Sequence, residues 1–243
     1  MNLIIFCTTM GHSGRYTHEE TIRSILSQGK GLFDSQFSNK IVHLKTKPDQ
    51  IEKAIEIKKF CDNVGFEVVE TIANVVHHSE NHQHHSAEYF KDIFKVYSIP
   101  KVRLQEYSLW LEDDWIIKEN GKSFYDACME SIYFLDHNPD QLCVRFNSAT
   151  DFLKCEQDHF VEDNDIFTQG KQYTQWGPTF TFQPNISRTK EIYAAWKAAQ
   201  KHLDMLGQYH CELMSGDLLK NFSESDTPFS FYNPEKIYAE HIG

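Results

Sequence analysis

Apolar residues fill Asn2 to Thr9 almost without a break. A run of that length, bounded by polar residues, predicts a strand covered on both faces. Gly11 to Tyr16 is a polar loop, and Thr17-His18-Glu19-Glu20 then has capping-box spacing, with Ile22, Ile25 and Leu26 following on one helical face. Lys40 to Leu44 predicts a second strand. Ile51, Ala54, Ile55, Cys61 and Val64 predict a second helix, and Phe66 to Val76 a third strand. Strand–helix–strand–helix–strand in this order predicts parallel pairing, because parallel neighbours need a crossover.

The second half alternates differently. Ala87 to Tyr97 predicts a helix, and Tyr107 to Leu111 a strand that runs straight into Glu112-Asp113-Asp114-Trp115. Phe124, Ala127, Cys128, Ser131, Ile132 and Leu135 fall at helical spacing. Leu142 to Phe146 predicts another strand, and Ile166 to Gln183 antiparallel β-structure. Ile192, Ala195, Trp196, Ala199 and Leu203 mark a helix, and Cys211 to Phe222 another. With no repeat and no linker, the expectation is a single mixed α/β domain over 1–243. Residues 1–117 would form its nucleotide-binding half and 118–243 an elaborated second half.

Charge narrows the function classes. The 243 residues carry 24 Lys and Arg against 35 Asp and Glu, a net charge of −11. Nucleic acid is therefore not an expected partner, since it demands a basic face. A phosphate-bearing ligand would have to be met locally, by a metal or a few placed cations. Leu3-Ile4-Ile5-Phe6-Cys7 is far too short to span a bilayer, so membrane insertion is not expected. The six scattered cysteines contain no CxxC pair and read as reduced thiols of a cytoplasmic protein.

Glu112-Asp113-Asp114 is the sharpest feature. Three consecutive carboxylates at the end of an apolar strand repel one another unless something positive sits among them. A divalent cation is the natural counter-charge, and hard oxygen ligands suit Mg²⁺ or Mn²⁺. In open α/β sheets the carboxyl ends of strands are also where ligands bind.

A first strand ending in Thr8-Thr9, Arg15 in the next loop and Leu111-Glu112-Asp113-Asp114-Trp115 after the fourth strand together resemble a GT-A glycosyltransferase. Gln175-Trp176-Gly177-Pro178, followed by Phe182-Gln183-Pro184-Asn185-Ile186-Ser187-Arg188, is similar to the acceptor side of such enzymes. The final Tyr238-Ala239-Glu240-His241-Ile242-Gly243 resembles the segment that gives the metal a histidine. The resemblance implies a Rossmann-like mixed sheet flanked by helices, with Mn²⁺ or Mg²⁺ held against the diphosphate of a nucleotide sugar. It makes Asp114 and His241 metal ligands, and Thr8, Thr9, Arg15, Glu112 and Asp113 donor contacts. Trp176 and Arg188 become acceptor contacts. This chain departs from a strict Asp-x-Asp in having Glu-Asp-Asp.

An inverting transferase also needs a base for the acceptor hydroxyl. By the same resemblance Glu212 fits best, Asp217 lies more than one turn further on, and Asp151 is a third possibility. Lys45 or Lys47 could help locally with phosphate, or serve only solubility. Trp110 and Trp196 fall on apolar stripes and read as core. His77 to His85 holds five of the 13 histidines, but with no cysteine and few apolar anchors it reads as a polar loop beside the donor site. The expected reaction is metal-dependent transfer from a nucleotide-diphosphate sugar, a UDP-sugar with UDP-glucose first, to a carbohydrate or other hydroxyl acceptor, with inversion favoured. The alternatives are a metal-dependent nucleotidyltransferase or phosphohydrolase, and a sugar-binding module without turnover.

Overall fold

β1 (Asn2–Thr8) is buried at every position, as its unbroken apolar run requires. The computed structural model describes residues 1–9, 16–27, 36–73, 91–118, 124–139, 141–146, 165–168, 171–177, 184–200, 230–232 and 238–242. β1 pairs in parallel with β2 (Asn39–Thr46) on one side and β4 (Tyr107–Glu112) on the other. β3 (Glu67–Ile72) continues the parallel order beyond β2. The helices α1 (His18–Ser27) and α2 (Ile51–Asn63) lie between these strands in sequence, so the expected parallel first half forms.

The end of α2 shows how sequence sets a boundary. Gly65 has φ of 81°, a conformation that costs glycine little. Its N–H donates to Asp62 O at 3.0 Å and Phe66 N–H donates to Cys61 O at 2.9 Å. This is the paired Schellman closure, with buried Phe66 packed in the same core as buried Cys61. Phe66 therefore belongs to the turn, and β3 starts one residue later than its hydrophobicity suggests.

Beyond β4 the sheet becomes mixed. β9 (Asn185–Arg188) lies antiparallel between β4 and β6 (Cys143–Arg145). β10 (Ser230–Tyr232) runs parallel to β6, and β8 (Lys171–Gly177) and β7 (Asp165–Thr168) add an antiparallel edge within the range expected for β-structure. Among the described residues the order is β3-β2-β1-β4-β9-β6-β10-β8-β7. A separate ribbon joins β5 (Trp115–Ile117) to β11 (Ala239–His241).

Alternation along the strands creates two cores. Leu3, Ile5, Cys7, Leu109 and Leu111 meet α1, α2 and α4 (Phe124–His137). Ile4, Phe6, Ile41 and Trp110 meet helical residues 91–97, α3 (Pro100–Arg103) and α5 (Thr189–Ala199). Trp110 and Trp196 are core, as expected. Ile55 is not: α2 buries Ala54, Ile57 and Cys61 and leaves Ile55 58% exposed. Both stripes have helical spacing, and the one with three members wins the core. Cys7, Cys61, Cys128 and Cys143 are free and buried. Cys155, Cys211 and the helix expected over Cys211 to Phe222 lie outside the described residues.

Candidate active site

The strand order fixes where a ligand crevice can open. From β1 the chain steps outward to β2 and β3, then returns to place β4 on the other side of β1. The carboxyl ends of β1 and β4 therefore flank a topological switch point, where open α/β sheets hold ligands. β1 delivers Thr8 there, with Thr9 directly after it, and β4 delivers Glu112.

The three carboxylates do not share one environment. Glu112 pairs with Phe6 on the sheet face of the 91–97 and α5 helices and is partly exposed. Asp113 points to the opposite face and is 2% exposed. Its Oδ2 accepts the Thr8 N–H at 3.4 Å, and its carbonyl accepts Thr21 Oγ1 at 2.8 Å. Asp113 thus ties β4 to β1 and to α1. Next to it, burial first and the Asp113 carboxylate second push the Cys7 thiol well above its usual range. Burial also pushes the His18 imidazole down, against the pull of Asp113.

Thr17 stands at the head of α1, and Thr21 N–H donates to its carbonyl at 3.0 Å. The capping-box spacing does not use its hydroxyl. Thr17 Oγ1 and the neighbouring His18 Nδ1 are both buried without a hydrogen-bond partner among the described residues.

Asp114 is 3% exposed. Ile242 N–H donates to its carbonyl at 2.8 Å, and His241 pairs with Trp115 across the ribbon. Residues 128 positions apart in sequence, Asp114 and Ile242, are thereby held in direct backbone contact. Carboxylate and imidazole are donor types that Mn²⁺ accepts, and the ribbon brings the backbones of the acidic turn and of His241–Ile242 together, with Ile242 opposite Asp114 and His241 opposite Trp115. No group of three ligating side chains converges among the described residues.

Among the described residues, the two lysines near the strand ends have acidic partners. Lys45, buried opposite Thr8 on β2, donates to Asp92 Oδ2 at 2.9 Å. Thr9 Oγ1 accepts the Lys47 N–H at 2.8 Å, and Lys47 Nζ lies 3.4 Å from Asp49. Neither lysine stands as an open phosphate contact.

Arg188 sits at the other end of β4, paired with Tyr107 rather than Glu112. Five strand steps separate those residues, about 17 Å. Its guanidinium donates to Gln141 O at 3.0 Å and to Leu135 O, closing the end of α4, and lies over the Tyr107 ring. The expected acceptor contact therefore occupies a structural position remote from the carboxylates. Trp176 lies on β8. Arg15, Asp151, Glu212, Asp217 and His77 to His85 lie outside the described residues.

Sequence reasoning missed four buried polar residues on the Glu112 face. Arg145 and Asn185 pair across β6 and β9, level with Trp110. His43 stacks on Phe6 with ring centroids 4.9 Å apart, and its Nε2 lies 3.0 Å from Thr71 Oγ1. Asp92 holds Lys45. For His43, Arg145 and Asn185 the available signal was a polar residue in a mostly buried strand, at an alternation position shared with core side chains; Asp92 lies on a helix and gave no such signal.

No protein-family model matches the chain, and no curated protein matches it either. Solved structures do resemble it. A 4-diphosphocytidyl-2C-methyl-D-erythritol synthase from Anaerococcus prevotii gives a TM-score of 0.45 at 14% identity, over 98% of this chain and 89% of that one. A protein described as a glucose-1-phosphate thymidylyltransferase from Bacillus anthracis, in complex with a sucrose, gives 0.49 at 11%, over 99% and 89%. Core-mannan synthase A from Aspergillus fumigatus, in a Mn/GDP form, gives 0.40 at 11%, over 90% and 68%. These neighbours are nucleotidyltransferases and glycosyltransferases of the nucleotide-diphospho-sugar transferase fold, at low sequence identity. At these scores they assign the chain no activity.

Proposed function

We propose that the chain is a divalent-metal-dependent GT-A glycosyltransferase that takes a nucleotide-diphosphate sugar, a UDP-sugar with UDP-glucose as first choice. One observation supports the reading: β4 ends in Glu112 at the β1/β4 switch point with Asp113 and Asp114 directly after it, and the β11 ribbon lays the His241–Ile242 backbone against that acidic turn. When bound, Mn²⁺ or Mg²⁺ would supply counter-charge to the leaving diphosphate. Asp114 and His241 would hold it. Glu112, partly exposed on the open face, is the donor contact, with Thr8, Thr9 and Arg15 around the nucleotide. Asp113 serves by bracing the turn, because its carboxylate faces inward. Trp176 is the acceptor platform and Glu212 the base that takes the acceptor proton, with Asp217 second.

The test is calorimetric binding of UDP, UDP-glucose and a panel of other nucleotide sugars, with and without Mn²⁺. Metal-dependent binding of a sugar nucleotide supports the reading, and its absence across the panel refutes it. A nucleotidyltransferase would use the same carboxylates. Met10 to Tyr16 contains one arginine and no lysine, which favours transfer of the sugar over attack on a triphosphate. Release of pyrophosphate from a nucleoside triphosphate and a sugar 1-phosphate would reverse that preference.

A further inference from the structure

The helices on the two sides of the sheet carry opposite charge. On the α1, α2 and α4 side, α2 is balanced, and α4 carries Asp126, Glu130 and Asp136 with no lysine or arginine. On the other side, residues 91–97, α3 and α5 expose Lys91, Lys95, Lys101, Arg103, Lys190 and Lys197. Among the described residues Glu67, which is ion-paired with Lys101, and Glu106 and Glu191 are the exposed acids beside them. In a chain of net charge −11, this side is therefore net basic among the described residues.

That face is continuous. Tyr193 of α5 stacks on Phe94, with centroids 5.8 Å apart, and Arg103 lies 5.1 Å above its ring. Tyr193 thus gathers all three helical segments around one point. Lys190, Tyr193, Ala194 and Lys197 follow one helical stripe, as do Lys91, Phe94 and Lys95. Leu104 follows Arg103 directly and is 82% exposed, the most exposed large apolar side chain among the described residues.

We infer that this face docks on an anionic lipid surface, with the lysines and Arg103 at the headgroups and Leu104 reaching below them. Basic residues ringing a protruding aliphatic side chain on a layer of flat-lying helices match a bilayer interface. Nucleic acid fits less well. Single-stranded bases stack on open aromatic faces, whereas Phe94 and Tyr193 cover each other and Arg103 covers Tyr193, and duplex binding through phosphates alone leaves the protruding Leu104 without a role. A second copy fits less well too, since pairing this face with the acidic α4 side is head-to-tail, not the self-complementary pairing of the common two-fold dimer. The inference is independent of the proposed chemistry.

Cosedimentation of the full chain with vesicles tests it. One set is phosphatidylcholine alone, the other phosphatidylcholine mixed with phosphatidylglycerol. Binding should appear only with the anionic set and fall as salt rises. The paired reversal Lys190→Glu/Lys197→Glu should weaken it roughly tenfold or more, and Leu104→Ser should weaken it at unchanged charge. All three side chains are exposed, so melting temperature and metal-dependent donor binding should stay as in the parent chain. No binding to anionic vesicles at low salt would overturn the inference. So would binding that ignores both variants, complete competition by duplex DNA at equal charge, or loss of lipid binding to self-association in sedimentation velocity.

Discussion

The backbone N–H of Ile242 donates to the Asp114 carbonyl at 2.8 Å, which fixes β11 against the acidic turn and makes the two segments one structural unit. If the unit holds a cation, its two proposed ligands should fail differently. Asp114→Ala removes the charged ligand and should abolish measurable Mn²⁺-dependent binding of a nucleoside diphosphate. His241→Ala leaves the carboxylate and should weaken binding by about 10–100-fold. Isothermal titration of each variant with Mn²⁺ and UDP checks both. Parent-like affinity in Asp114→Ala would remove this residue from the site.

Asp113 should report chiefly on stability. Its carboxylate is buried and accepts the Thr8 N–H, so Asp113→Ala leaves a buried donor without its acceptor. That loss costs about 1–3 kcal/mol. Urea denaturation should show a lower midpoint with an unchanged slope. The folded variant should retain more Mn²⁺ affinity than Asp114→Ala does. A variant as stable as the parent but unable to bind donor would mean that Asp113 contacts the ligand directly.

The order of elements was legible in the sequence because hydrophobic period is a local property. β1, α1, β2 and α4 could be read from apolar spacing alone. The carboxylate triplet was legible too, since three adjacent acids after an apolar strand are costly without a purpose. The direction of each acid was not. Whether Asp113 faces α1 or solvent depends on the turn after β4 and on β5 folding back against α1, where Ile117 N–H donates to Ser24 Oγ at 2.9 Å. The Lys45–Asp92 pair is equally non-local, joining residues 47 apart. Arg188 misled because a basic residue after an acceptor-like segment carries no sign of which end of the neighbouring strand it will meet.

Arg188 gives the contrasting prediction. Its guanidinium caps carbonyls of Leu135 and Gln141 at the end of α4, where a cation also complements the helix dipole. Arg188→Ala should lower stability by about 2 kcal/mol. Binding of donor and the apparent KM for any acceptor should stay near the parent values. A raised acceptor KM with unchanged melting would return Arg188 to the acceptor site.

His43 sets the acid limit of the fold. Burial first, with Lys45 and Lys95 adding, pushes its imidazole down to about 3. The free side chain titrates near 6.5. Between those values the unfolded chain binds a proton that the folded chain excludes, so stability falls as pH falls. The contribution is fully present above about pH 6.5 and lost progressively toward pH 3. From this group alone the chain should be about 2 kcal/mol less stable at pH 5 than at pH 7. His18, also held below its usual range by burial, works in the same direction. His43→Gln removes the titrating ring while keeping a polar partner for Thr71. The variant should start less stable at pH 7 and show a shallower decline from pH 7 to pH 5 in urea titrations. An equal or steeper decline would show that His43 is protonated in the folded state, and that its stack on Phe6 tolerates a charge.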